Sequence, residues 1–212
     1  MKIKKFVFNP FGENTYIIWN EQSGDAAIID PGMSNQYERD SVQKFISENG
    51  LKLSWLLNTH MHFDHAVGNQ FMEATYNLET ACCLDDSYLA EALPQQAAMF
   101  GIRFEGKGIR IRKPLEEREI FVAGENCNVL FVPGHTKGHI ALYFPDSGIV
   151  FTGDVLFQSG IGRTDLPGGD YDKLIKSIDE KLMTLPGSTL VYPGHGPSTT
   201  IGYESQTNPY LT

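Results

Sequence analysis

The chain has 212 residues, 41% hydrophobic and 20% charged, which is ordinary for a globular protein able to bury a core without staples. Its formal charge of -9 leaves no basic field for a phosphate backbone, so nucleic acid is not expected as a partner. No apolar run approaches the roughly 20 residues that cross a bilayer, no export signal is visible, and the three cysteines are odd in number, so a soluble protein of the reducing cytoplasm with no membrane partner is expected.

In chain order, residues 2–8, 15–19 and 26–29 read as a strand meander, separated by Asn9-Pro10-Phe11-Gly12 and Ser23-Gly24-Asp25. Tyr37, Val42, Phe45 and Ile46 recur at helical spacing and predict a helix over 35–49, with Gly50 as its C-terminal glycine. A strand over 53–58 and a second helix over about 65–77 follow, and Cys82 and Cys83 read as small apolar fillers of a buried strand. Residues 86–113 read as an insertion over the site, either a lid or a solvated connection packed by its own aromatics. Arg110, Arg112 and Lys113 within it read as a solvated face. Strands are predicted over 120–123, 128–132, 140–144 and 149–152, a third helix over 171–183 and a last strand over 189–192. No linker or repeat divides the chain, so residues 1–212 are expected to form one domain. Strands in two batches, each with helices, predict two packed sheets with helices outside.

The chemistry is concentrated in Thr59-His60-Met61-His62-Phe63-Asp64-His65, which follows the apolar strand directly. His60 and His62, two apart in extended backbone, project to one side, while Asp64 and His65 turn toward a second point as the helix begins. Phe131-Val132-Pro133-Gly134-His135 and Val191-Tyr192-Pro193-Gly194-His195 repeat one local design, with Val150-Phe151-Thr152-Gly153-Asp154 as its carboxylate version. Each is an apolar strand, a glycine and a ligand, and ligands at strand ends of a rigid sheet converge without reorganisation. The pattern accounts for every histidine except His139, which has a rival reading as a ligand but opens the strand over 140–144 and is expected to point into the scaffold. His139, Thr59 and Thr136 are candidates for the hydrogen-bond partners that hold metal-bound imidazoles and carboxylates in place.

These residues, in this order, resemble the metallo-β-lactamase superfamily, whose fold is a four-layered αββα sandwich of the α/β class. Gly134-His135-Thr136-Lys137-Gly138-His139, Gly162-Arg163-Thr164-Asp165 and Pro193-Gly194-His195-Gly196-Pro197 resemble the small bacterial glyoxalase II-like hydrolases. The resemblance implies that His60, His62 and His135 hold one metal, that Asp64, His65 and His195 hold the other, and that Asp154 bridges. It also implies that Arg163 contacts the substrate. Zinc-type β-lactamases of the family carry a cysteine where Asp154 stands, which disfavours antibiotic hydrolysis. The longer glutathione-thioester hydrolases add a C-terminal helical domain, whereas 17 residues follow His195 here, so weak binding of glutathione thioesters is expected.

Two divalent metal ions flanking one water would bring its pKa to about 7, and the bridging hydroxide would attack a polarised carbonyl. Zinc is the expected ion, and an imidazole and carboxylate shell also accepts iron or manganese. Asp64 is the catalytic candidate, able to accept a proton while remaining a ligand. No free general acid remains for an amide, whereas a thiolate of pKa near 8.5 departs unaided. A small-molecule thioester, such as a 2-hydroxyacyl-glutathione, is therefore the expected substrate. The alternative is a mononuclear iron persulfide dioxygenase, which resembles this chain in the first cluster and in Gly162-Arg163-Thr164-Asp165 but needs only His60, His135 and Asp154 as ligands. A non-catalytic metal-binding module is disfavoured, because structural sites tend to be closed and rich in thiolate.

Overall fold

A computed structural model of the protein describes residues 1–102, 104 and 106–211. Strands β1 (Lys2–Phe8), β2 (Glu13–Trp19), β3 (Asp25–Ile29), β4 (Lys52–Leu57), β5 (Thr80–Cys82) and β6 (Lys113–Pro114) form the first sheet in that order. β1 to β3 pair antiparallel as a meander, and β3 to β6 pair parallel. β7 (Glu119–Val122), β8 (Glu125–Phe131), β9 (Ile140–Phe144), β10 (Ile149–Gly153), β13 (Leu190–Pro193) and β14 (Thr199–Thr200) form the second sheet, ordered β14-β13-β10-β9-β8-β7. A two-stranded ribbon, β11 (Leu156–Phe157) with β12 (Gly160–Ile161), stands beside it.

Strand side chains alternate faces, and that period divides the core into layers. Ile18, Ala27, Ile29 and Leu57 of the first sheet meet Val129, Leu142, Phe144 and Phe151 of the second in a common interior. The opposite faces carry Ile17, Ile28 and Leu56, packed on helices α1 (Gln36–Glu48) and α3 (Asn69–Tyr76). Across the molecule, Ala141, Val150 and Val191 pack on α6 (Tyr171–Ser177), its wide continuation Ile178–Leu182 and α7 (Ile201–Thr207). The result is the four-layered αββα sandwich.

Three local differences from the sequence reading have physical causes. The helix expected over 65–77 is two pieces, α2 (Phe63–Ala66) and α3, broken where the Gly68 amide donates to the Pro31 carbonyl at 2.8 Å. Residues 86–113 are partly helical: α4 (Ser87–Glu91) and α5 (Leu93–Met99) pack Leu89, Leu93 and Ala97 against Met61 and Phe63 beneath the His60–His65 segment. Arg103 and Glu105 of that segment lie outside the described residues. Lys113, read as part of a solvated face, pairs with Ala81 in β6 and lies over the Trp55 ring.

Cys82 is buried in β5 and Cys127 in the common interior, and all three cysteines are free thiols. No helix among the described residues is long and apolar enough to cross a membrane.

Candidate metal centre

The site lies where strands from both sheets end. β4 delivers His60 and His62, the first turn of α2 carries Asp64 and His65, His135 follows β8, Asp154 follows β10 and His195 follows β13. The sheets are joined here by backbone. The Asn14 amide donates to the Gly194 carbonyl at 2.7 Å, Glu13 and His195 form an isolated bridge, and the Tyr16 hydroxyl donates to the Pro193 carbonyl.

The structure brings together all seven of the candidate ligands. Nitrogens of His60, His62 and His135 converge in one group, and Asp64, His65 and His195 offer atoms in a second. His62 Nδ1 lies 2.9 Å from His135 Nε2, and His65 Nε2 lies 3.3 Å from His195 Nε2. Asp64 Oδ2 is 3.2 Å from His195 Nε2. Asp154 stands between the groups, with Oδ1 3.4 Å from His65 Nε2 and Oδ2 3.7 Å from His135 Nε2 and 3.5 Å from His195 Nε2. Close approach depends on Gly194, where a Cβ would collide with Asp154 Oδ1 and His65 Cε1. Gly153 adds a left-handed φ of 48° against the Thr59 hydroxyl and the His139 ring.

Hydrogen bonding on the far side of each ring sets which nitrogen faces inward. Asp30 Oδ2 accepts from the Thr59 hydroxyl at 2.7 Å and from His65 Nδ1 at 3.1 Å. The Thr59 oxygen in turn takes the Nδ1 proton of His60 at 3.1 Å, and the Arg163 carbonyl takes that of His135 at 2.7 Å. His60, His65 and His135 therefore each turn Nε2 toward the centre.

Burial holds His60 and His135 neutral, below the usual imidazole range, and takes His62 down to about 3, with His135 adding to the effect. Burial also disfavours the charged forms of His65 and Asp154. Asp154 and Asp64 outweigh it at His65 and raise its pKa, while His65 foremost holds the Asp154 carboxylate well below its ordinary value.

Whether these residues fit a cation can be tested on two features. His60 Nε2 is buried with no hydrogen-bond partner, and Asp154 Oδ1 is buried with no hydrogen bond of good geometry, only His65 Nε2 at 3.4 Å, a costly state for polar atoms. Imidazole nitrogens also face one another, His62 Nδ1 with His135 Nε2 and His65 Nε2 with His195 Nε2, an arrangement that holds without a cation only if one ring of each pair keeps a proton between them. Cations accept electron pairs from all of these atoms at once, so the residues fit a metal centre. Asp30 belongs to a third group with His60 and His65, but its oxygens are engaged by Thr59 and His65, which makes it their orienting acceptor.

His139 stacks on His60 at 4.6 Å, and its Nε2 accepts the Asp154 amide at 3.1 Å, so it faces the scaffold. Arg163 enters through its carbonyl, while its guanidinium is exposed and paired with Asp165 at 2.6 Å. Sequence reasoning missed Asp30, which hides in an ordinary Asp-Pro-Gly turn, and Asp86, which looks like half of a solvated acidic pair. Only the terminal position of Asp30 on a buried strand, a feature it shares with Asp154, could have flagged it.

The model of the metallo-β-lactamase superfamily matches residues 8–195. The chain belongs to this superfamily. Among curated relatives of this metallo-β-lactamase-fold chain, hydroxyacylglutathione hydrolase GloC of Haemophilus influenzae is 40% identical over 100% of this chain and 98% of its own. Among solved structures, BLEG-1 B3 metallo-beta-lactamase is 31% identical with a TM-score of 0.88, covering 100% of both chains. TTHA1623 in a di-iron-bound form is 35% identical with a TM-score of 0.87, covering 98% of this chain and 100% of that one. ETHE1 from Myxococcus xanthus is 27% identical with a TM-score of 0.79, covering 99% and 84%. The chain is thus a metallo-hydrolase of a superfamily that holds divalent metals.

Proposed function

We propose that this metallo-hydrolase cleaves thioesters in the manner of glyoxalase II, with a 2-hydroxyacyl-glutathione as the model substrate. The observation that carries the reading is Asp154, set against one imidazole of the first group and two of the second. His60, His62 and His135 would hold one divalent cation, Asp64, His65 and His195 a second, and Asp154 would serve both. When bound, such a pair supplies hydroxide at neutral pH and polarises the carbonyl under attack.

The chain's own residues do the rest. Asp30, Thr59 and the Arg163 carbonyl fix the tautomers, so the ligand nitrogens need no reorganisation. Asp64 offers a carboxylate oxygen at the partly open side of the site, where it can accept a proton. No imidazole outside the proposed ligands other than His139 lies at the site to protonate a leaving amine, and a thiolate needs no such help. Arg163 would reach an anionic group on the substrate by exchanging Asp165 for it. Zinc, iron and manganese all suit the donor set. One domain over residues 1–212 and a cytoplasmic location complete the proposal, with neither nucleic acid nor membrane as a partner.

Likeness to GloC supports the hydrolase, and likeness to ETHE1 lends some support to a persulfide dioxygenase built on His60, His135 and Asp154. Asp64, His65 and His195 favour the hydrolase, because a mononuclear oxygenase would have no use for them. The test gives purified, metal-loaded protein a thioester in one cell, glutathione persulfide in an oxygen electrode and a chromogenic β-lactam in a third. Thiol release without oxygen uptake is expected. Iron-dependent oxygen consumption with no thioester cleavage under any metal would establish the dioxygenase instead, and turnover of the β-lactam alone would make the chain a lactamase.

A further inference from the structure

Asp86 lies in neither ligand loop, yet it is fully buried and bonded to both. Its Oδ2 accepts the Met61 amide at 3.1 Å and the Thr136 hydroxyl at 2.8 Å, and its Oδ1 accepts the Gly138 amide at 2.7 Å. Met61 separates His60 from His62, and Thr136 follows His135 directly. One carboxylate therefore spans the two chain segments that supply all three nitrogens of the first group. There is no slack in the arrangement, because a Cβ at Gly138 would run into the Asp86 backbone amide and Oδ1.

The second group is braced differently. Asp30 holds the His65 ring, Asn58 Nδ2 donates to the His65 carbonyl at 2.8 Å, Asn9 Nδ2 donates to the Asp64 carbonyl at 3.0 Å, and the Gly153 carbonyl takes the Gly194 amide beside His195. Among these contacts none involves Asp86. The same segment that begins with Asp86 reaches the site once more through Gln96, whose Oε1 accepts the Phe63 amide at 3.0 Å.

We infer that Asp86 is a positioning residue for one cation pocket only, fixing the spacing between His60/His62 and His135 while leaving the Asp64/His65/His195 pocket to its own supports. The inference rests on the two-cation reading of the site. A carboxylate is required because three donors point at it. An amide in its place would turn an N–H toward one of them, leaving a buried donor unpaired and pushing the loops apart.

The experiment uses the full chain, stripped with a chelator and titrated with Zn2+ against a competing fluorescent indicator. Anomalous scattering from crystals at limiting Zn2+ then reports which pocket fills. Asp86→Asn should weaken the His60/His62/His135 pocket by about 10-fold, the lower end of the range for losing a ligand's own outer hydrogen-bond partner, because Asp86 acts through Met61, Thr136 and Gly138 beside the ligands. The other pocket should keep its affinity within a small factor, and KM should change much less than kcat. Thr136→Val, which removes one of the three bonds and is milder for folding, should shift the same pocket in the same direction by less. Asp154→Ala serves as the contrast, losing both cations together. Two pockets weakened equally by Asp86→Asn or Thr136→Val, or neither weakened, would overturn the inference while leaving the two-cation reading intact. Wild-type protein that binds a single Zn2+ would overturn that reading itself.

Discussion

Asp154 and the residues around it show how much depends on single side chains. It is buried among His65, His135 and His195, and its amide is held by His139, which places its carboxylate against imidazoles of both groups. Asp154→Ala is expected to lower bound metal at both pockets and to cut turnover by more than the ~100-fold that loss of an outer partner costs. Metal analysis beside a thioester assay checks this, and a variant keeping two metals and near-normal kcat would contradict the assignment. At this scale the candidate ligands were legible because histidines packed into one short loop, or standing after a glycine at a strand end, have few other uses. The acids that aim them were not. Asp30 and Asp86 act through contacts with residues 29 and 50 positions away, and no local pattern records those contacts.

Among the elements, those with a long apolar period were readable and those made by tertiary contact were not. Helix α1 and the longer strands of both sheets follow from sequence, with ends within a few residues of those expected. β6, β14 and the ribbon of β11 and β12 are two residues long, too short for a period to show, while β5 was expected only as a buried strand around Cys82 and Cys83. The break between α2 and α3 rests on Gly68 against Pro31, a packing fact invisible to helical spacing. Gly68→Ala would place a Cβ 2.6 Å from the Pro31 carbonyl oxygen. Overpacking of this kind costs about 1–3 kcal/mol, so the variant should melt several degrees lower, as calorimetry would show. Gln96→Ala should act by another route, freeing the Phe63 amide and speeding hydrogen exchange over the His60–His65 loop with little change in the sheets.

For the whole molecule, two batches of strands announced two sheets, whereas the return of the second half's ligands to the edge where the first half leaves its own was legible only in the repeated strand-glycine-ligand design and in the family resemblance, and it is a long-range closure that joins the two sheets. Cation binding should therefore contribute to global stability. At a free metal concentration 100 times Kd the linkage is about 2.7 kcal/mol, which for a chain of this size is a melting temperature higher by roughly 5–11 °C. Chelation should remove that increment and divalent metal should restore it, and an unchanged melting curve would argue against a native metal centre. The division of labour has another consequence. All six strands of the first sheet precede Glu116 and all six of the second follow it, across the exposed stretch Glu116-Glu117-Arg118. Each proposed pocket draws ligands from both sides of that stretch. A chain severed there would yield two fragments, each with a complete sheet and an incomplete site, so their reunion should report divalent metal much as a split reporter reports its inducer.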